Sequence, residues 1–131
     1  SVTNDGSVYI CGRSNSNQYI DIYDAEGTTG PSTKYQMSGD SGGSGGNREN
    51  YIVKYSAEDG KVEWFTKIGS DNSDEFPNNM SVTNDGSVYV SGNSNSTGYI
   101  DIYDADGKTN PTVSYQMSGD PGSDNYIVKF C

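Results

Sequence analysis

The chain has 131 residues, enough for one ordinary domain, and only 31% of them are hydrophobic. Its 18 acids against 8 bases give a net charge of −10, which argues against nucleic acid and anionic membranes, since phosphate binding needs clustered Lys and Arg. No apolar run approaches the roughly 18–20 residues that span a bilayer, so no membrane span is expected.

Gly, Ser, Asn and Asp make up much of the remainder, and the 11 Tyr argue for folded strands over disorder. Tyr favours strands and buries a large ring while its hydroxyl stays wet. The chain opens on Ser1 without an initiating Met or a signal peptide, and reads as an excerpt or a processed product.

In chain order, SVTNDGSVYI at 1–10 places Asn-Asp-Gly between β-branched runs. That is a strong hairpin signal, because the tight turn needs positive φ. YIDIY at 19–23 starts a second hairpin, followed by a Gly- and Ser-rich loop tip. Tyr51–Tyr55 and Lys61–Ile68 form a third, across Glu58-Asp59-Gly60. Alternation in its return strand puts Val62, Trp64 and Ile68 on one face and Lys61, Glu63 and Lys67 on the other.

The pattern then starts again. Residues 1–40 align with 81–120 without a gap, 29 of the 40 positions being identical. Ser81-Val82-Thr83 and Ser87–Val90 flank Asn84-Asp85-Gly86, and Tyr99–Tyr103 returns through Val113–Met117. DNYIVKF at 124–130 matches ENYIVKY at 49–55, with five fewer residues in the preceding loop. Over 131 residues this makes about 1.6 units of roughly 75–80 residues, divided as 1-76 and 77-131, the second incomplete at its last strand.

The expected fold class is therefore all-β, with tandem antiparallel β-sheet repeats shaped like propeller blades. One such sheet cannot bury its apolar face alone, and closed rings hold about 4–8 blades. Copies of the chain, or the rest of a longer one, are the expected partners.

Cys11 and Cys131 align with Ser91 and Ser56, so neither belongs to the repeating unit. They pair with each other, pair with another chain, or stay free.

The order NDGSVYVSG, YIDIYDADG, DNYIVKF or ENYIVKY, then EDGKVEWFTKIG resembles the β-propeller repeats of bacterial and some eukaryotic surface proteins. That family's pattern runs roughly DxxGNVYVxG, GTVDFD, then DxFVAKYDxxGxxxW. The likeness spans nearly the whole chain. It departs at Asn-Asp-Gly, where the family has Gly-Asn, and at Tyr51 and Tyr126, where the family often has Phe. It implies a secreted or cell-surface protein and supplies no catalytic residues.

The chain has no His, so Ser–His and Cys–His catalysis has no base within these residues. Glycoside hydrolysis needs two placed carboxylates of unlike pKa, whereas Asp5, Asp59 and Asp85 sit in turn signatures. No enzymatic activity is expected. Asp104, Asp106 and Asn110 space oxygens as a calcium loop would, making Ca2+ the candidate cofactor. In the first unit Asp24 and Glu26 remain but Gly30 replaces the last ligand. Asn79 and Asn95 are glycosylation acceptors by sequon. Tyr19, Tyr23, Tyr35, Tyr99, Tyr103 and Tyr115 suit unit-to-unit packing better than a sugar-stacking ladder. The expected role is an extracellular structural or assembly protein, the building block of a surface layer, appendage or filament. The alternative is a glycan- or protein-binding propeller module.

Overall fold

Each Asn-Asp-Gly turn is closed by its own side chains. In the computed structural model, which describes residues 1–14, 19–24, 33–36, 49–69, 75–95, 99–102, 113–116 and 124–130, Gly6 N–H donates to Thr3 O at 2.9 Å. Asp5 Oδ1 accepts from the Ser7 N–H at 3.0 Å and from the Thr3 hydroxyl. Thr83, Asp85, Gly86 and Ser87 repeat the arrangement, with Ser87 N–H to Asp85 Oδ1 also at 3.0 Å. Gly6 and Gly86 take φ of 90° and 84°, left-handed values that strain any residue with a Cβ.

Among the described residues the chain is all-β, with ten strands and no helix. In order they are β1 (Val8–Ser14), β2 (Tyr19–Ile22), β3 (Thr33–Gln36), β4 (Glu49–Tyr55), β5 (Val62–Gly69), β6 (Glu75–Val82), β7 (Val88–Ser94), β8 (Tyr99–Ile102), β9 (Val113–Gln116) and β10 (Asp124–Phe130). They form an antiparallel five-stranded sheet, β1-β4-β5-β8-β9, a three-stranded sheet, β10-β7-β6, and the separate pair β2-β3.

Aligned segments pair alike. Val8↔Tyr55 through Ser14↔Glu49 joins β1 to β4, and Val88↔Phe130 through Ser94↔Asp124 joins β7 to β10. In each pair a Tyr lies over a cross-strand Gly. A Cβ on Gly12 would sit 2.7 Å from the Tyr51 hydroxyl, and one on Gly92 would sit 2.5 Å from the Tyr126 hydroxyl.

The structure corrects the sequence reading at two strands. Val62 does not share a face with Trp64. A bulge at Lys54/Tyr55 shifts the register, so Lys54 opposes Trp64 while Tyr55 opposes Val62. Val62 then packs beside Val53 and Phe65, and Trp64 beside Ile52 and Ile68. Lys67, expected on a solvated face, is buried because side chains cover β5 on both faces. The second correction is β6, which starts at Glu75 rather than Ser81. Pro77 masks it in the sequence. β6 is an edge strand with a bulge between Pro77 and Asn79, the setting in which a sheet tolerates Pro.

The larger core lies between the two main sheets and joins Tyr9, Ile52 and Ile68 to Val88, Val90, Ile100, Ile102 and Tyr126. A smaller one holds Ile22, Val53 and Phe65. Among the described residues no helix is long and apolar enough to cross a membrane.

The turn carboxylates make stability pH-dependent. Hydrogen bonds from Thr83 and from the Ser87 backbone hold Asp85 down at about 2, against an ordinary 3.8. Asp5 is lowered by the same contacts from Thr3 and Ser7. A depressed folded-state pKa contributes stability that is present above 3.8 and lost as pH falls through 2. Urea midpoints taken between pH 6 and pH 2 should fall over the acid end. Asp5→Asn/Asp85→Asn should flatten that fall, and an unchanged slope would contradict the assignment.

Candidate functional site

The best-built feature is the contact between the two repeat units. One side of it is the first unit's sheet face carrying Tyr9, Cys11, Ile52, Trp64 and Ile68. The other is the second unit's face carrying Val82, Val88, Val90, Tyr126, Val128 and Phe130. These residues share faces because cross-strand neighbours point the same way: Cys11 opposes Ile52, and Val90 opposes Val128.

Polar contacts fix how the units meet. Asn50 Nδ2, fully buried on β4, donates to the Tyr126 hydroxyl on β10. Asn4 Nδ2 donates to Asn84 Oδ1 at 3.0 Å, linking equivalent turn residues of the two units. Inside the five-stranded sheet Ile68↔Ile102 and Gly69↔Asp101 pair β5 of the first unit with β8 of the second. Across the β6–β7 pair Ser94 Oγ donates to Glu75 Oε1 at 2.8 Å, both groups buried.

Electrostatics support a packed contact rather than a reactive one. Burial, reinforced by the Glu75 charge, pushes the Tyr126 hydroxyl well above its ordinary range, so it stays a neutral hydrogen-bonding group. Burial likewise pushes the Cys11 thiol up to about 11, away from the reactive thiolate. Lys54, ion-paired with Glu63, sits over the Tyr9 ring at 5.8 Å. Lys129 sits over the aligned Tyr89 at 5.6 Å.

The candidate residues from sequence divide as follows. Asp104, Asp106 and Asn110, the proposed calcium loop, lie outside the described residues, as does Cys131. Cys11 is a half-buried free thiol on the unit-facing side of β1. Asn79 and Asn95 are both exposed, on β6 and just after β7. Tyr23 is exposed, while Tyr103 falls outside the described residues. Among the described residues no three carboxylate or thiol groups gather as metal ligands would.

Sequence reasoning missed Asn50 and Tyr126 as an inter-unit pair. The signal was there in the recurring Asn-Tyr of ENYIVKY and DNYIVKF, where the Asn and the Tyr belong to opposite faces of one strand. No protein family matches the chain, and no curated protein or solved structure matches it either.

The contact makes one direct prediction, because Ile52 and Ile127 fill the same slot of the repeat. Ile52 is 0% exposed and Ile127 is 78% exposed. In dilute protein Ile52→Ala should cost about 2–5 kcal/mol by urea unfolding. Ile127→Ala should stay within about 0.5 kcal/mol of the parent. Equal losses at the two sites would refute the assignment of Ile52 to the inter-unit core.

Proposed function

We propose that this is a non-enzymatic structural protein, whose propeller-blade-like repeats serve as building blocks of an extracellular surface layer, appendage or filament. The observation that carries this reading is that its two units meet through side chains belonging to the repeat itself. Val88, Val90 and Tyr126 in the second unit, and Tyr9 and Ile52 in the first, all have counterparts in the other unit.

Several features favour it. Two antiparallel sheets pack face to face, and the larger one joins strands of both units. A net charge of −10 keeps such a protein soluble before it assembles. The exposed acceptors Asn79 and Asn95 suit a secretory route and an outer location. The absence of His removes the commonest general base from this chain.

Light scattering after size exclusion, with negative-stain images, tests the proposal. An open-ended distribution of particles that grows with concentration is the expected outcome. A discrete particle of about 4–8 units that grows no further would overturn it in favour of a closed, ligand-binding propeller.

A further inference from the structure

The ends of the molecule expose the same side chains that its middle buries. Among the described residues the exposed large hydrophobics are Val2, Val8, Ile10, Tyr23, Tyr89 and Ile127. All except Tyr23 align with residues of the inter-unit core. Val2, Val8 and Ile10 correspond to Val82, Val88 and Val90; Tyr89 and Ile127 correspond to Tyr9 and Ile52. Val88 and Val90 are 0% exposed, yet Val8 and Ile10 are 36% and 44% exposed. Tyr9 is 4% exposed and Tyr89 is 38% exposed.

The two exposed sets lie on opposite ends. Val8 and Ile10 lie on the first unit's outward face, the one equivalent to the face the second unit turns inward. Tyr89 and Ile127 lie on the second unit's outward face, equivalent to the one the first unit turns inward, since Ile127 opposes Ser91 and Lys129 opposes Tyr89 across the β7–β10 pair. The ends therefore differ from each other and match each other's needs.

We infer that a second copy of this chain docks head to tail, its Val2, Val8 and Ile10 face seating on the Tyr89 and Ile127 face of the first. This rests on the assembly reading and deepens it by naming the partner and the register. The internal contact supplies that register. Asn50 donates to Tyr126 across the units, so Asn125, which is exposed, donates to Tyr51 of the docked copy. Asn4 donates to Asn84, so Asn84 donates in turn to Asn4 of the docked copy. A heterologous contact of this kind repeats without limit unless its rotation closes a ring.

The joint between copies reuses Val2, Val8 and Ile10 and the Asn and Tyr bonds, while Val53, which fills the slot of Val128, is already packed with Ile22 and Phe65 of its own copy.

Two capped variants of the full 131-residue chain test the direction. Ile127→Asp spoils the tail and leaves the head; Ile10→Asp spoils the head and leaves the tail. Both sites are exposed, and unfolding midpoints equal to the parent's verify that each variant folds. Val8→Asp replaces Ile10→Asp if the latter loses its fold. In analytical ultracentrifugation, the parent should give a mass that climbs with concentration. Each variant alone should stay monomeric, and an equimolar mixture should stop at a 1:1 dimer. If the parent assembles and a folded capped variant still assembles alone, or the mixture stays monomeric, this docking mode is overturned while the assembly reading survives. If the parent never assembles, both fall.

Discussion

A sheet one layer thick has two faces and can wet only one without cost. The core between the two main sheets answers that constraint, and the rest of the structure depends on it. Ile52, Ile68, Val88 and Val90 are each fully buried there. At about 1.5–3 kcal/mol for each large aliphatic side chain removed from water, this core outweighs any single polar contact in the molecule. In a chain that is only 31% hydrophobic, apolar residues must be concentrated where two units share them.

The polar groups serve alignment more than strength. A neutral hydrogen bond contributes about 1 kcal/mol net, while a buried donor left unmade costs about 1–3 kcal/mol. The Asn50–Tyr126 bond therefore penalises a slipped arrangement more than it rewards the correct one. Glu49, Lys67 and Glu75 are buried alongside and all have interaction partners. Buried charge is weak as a source of stability and strong as a penalty against mispairing. Close Tyr-over-Gly contacts at Gly12 and Gly92 add a steric constraint, since a methyl group at either position has no room.

Much of this was legible in the sequence. The Asp-Gly turns, the pairing of β4 with β5 and of β8 with β9, and the absence of helix from the described residues all follow from short-range rules. Strand β6 was not legible, because Pro77 argues against a strand until one knows that it lies at an edge beside a bulge. The face assignment of Val62 failed for a similar reason. Alternation assumes an unbroken register, and one bulge opposite Tyr55 moves every residue beyond it to the other face.

The sequence by itself determined the repeat, the turns and the strand content, because each depends on residues only a few positions apart. It also showed that these 131 residues hold no His to act as a base. Only the tertiary structure decided which of two aligned residues is core and which is surface. Ile52 and Ile127 sit in near-identical local sequences, YIVKY and YIVKF, with the same propensity and the same pattern. One is sealed and the other is open, because burial depends on whether another unit lies across the face. That is a property of the tertiary packing, which no local rule encodes.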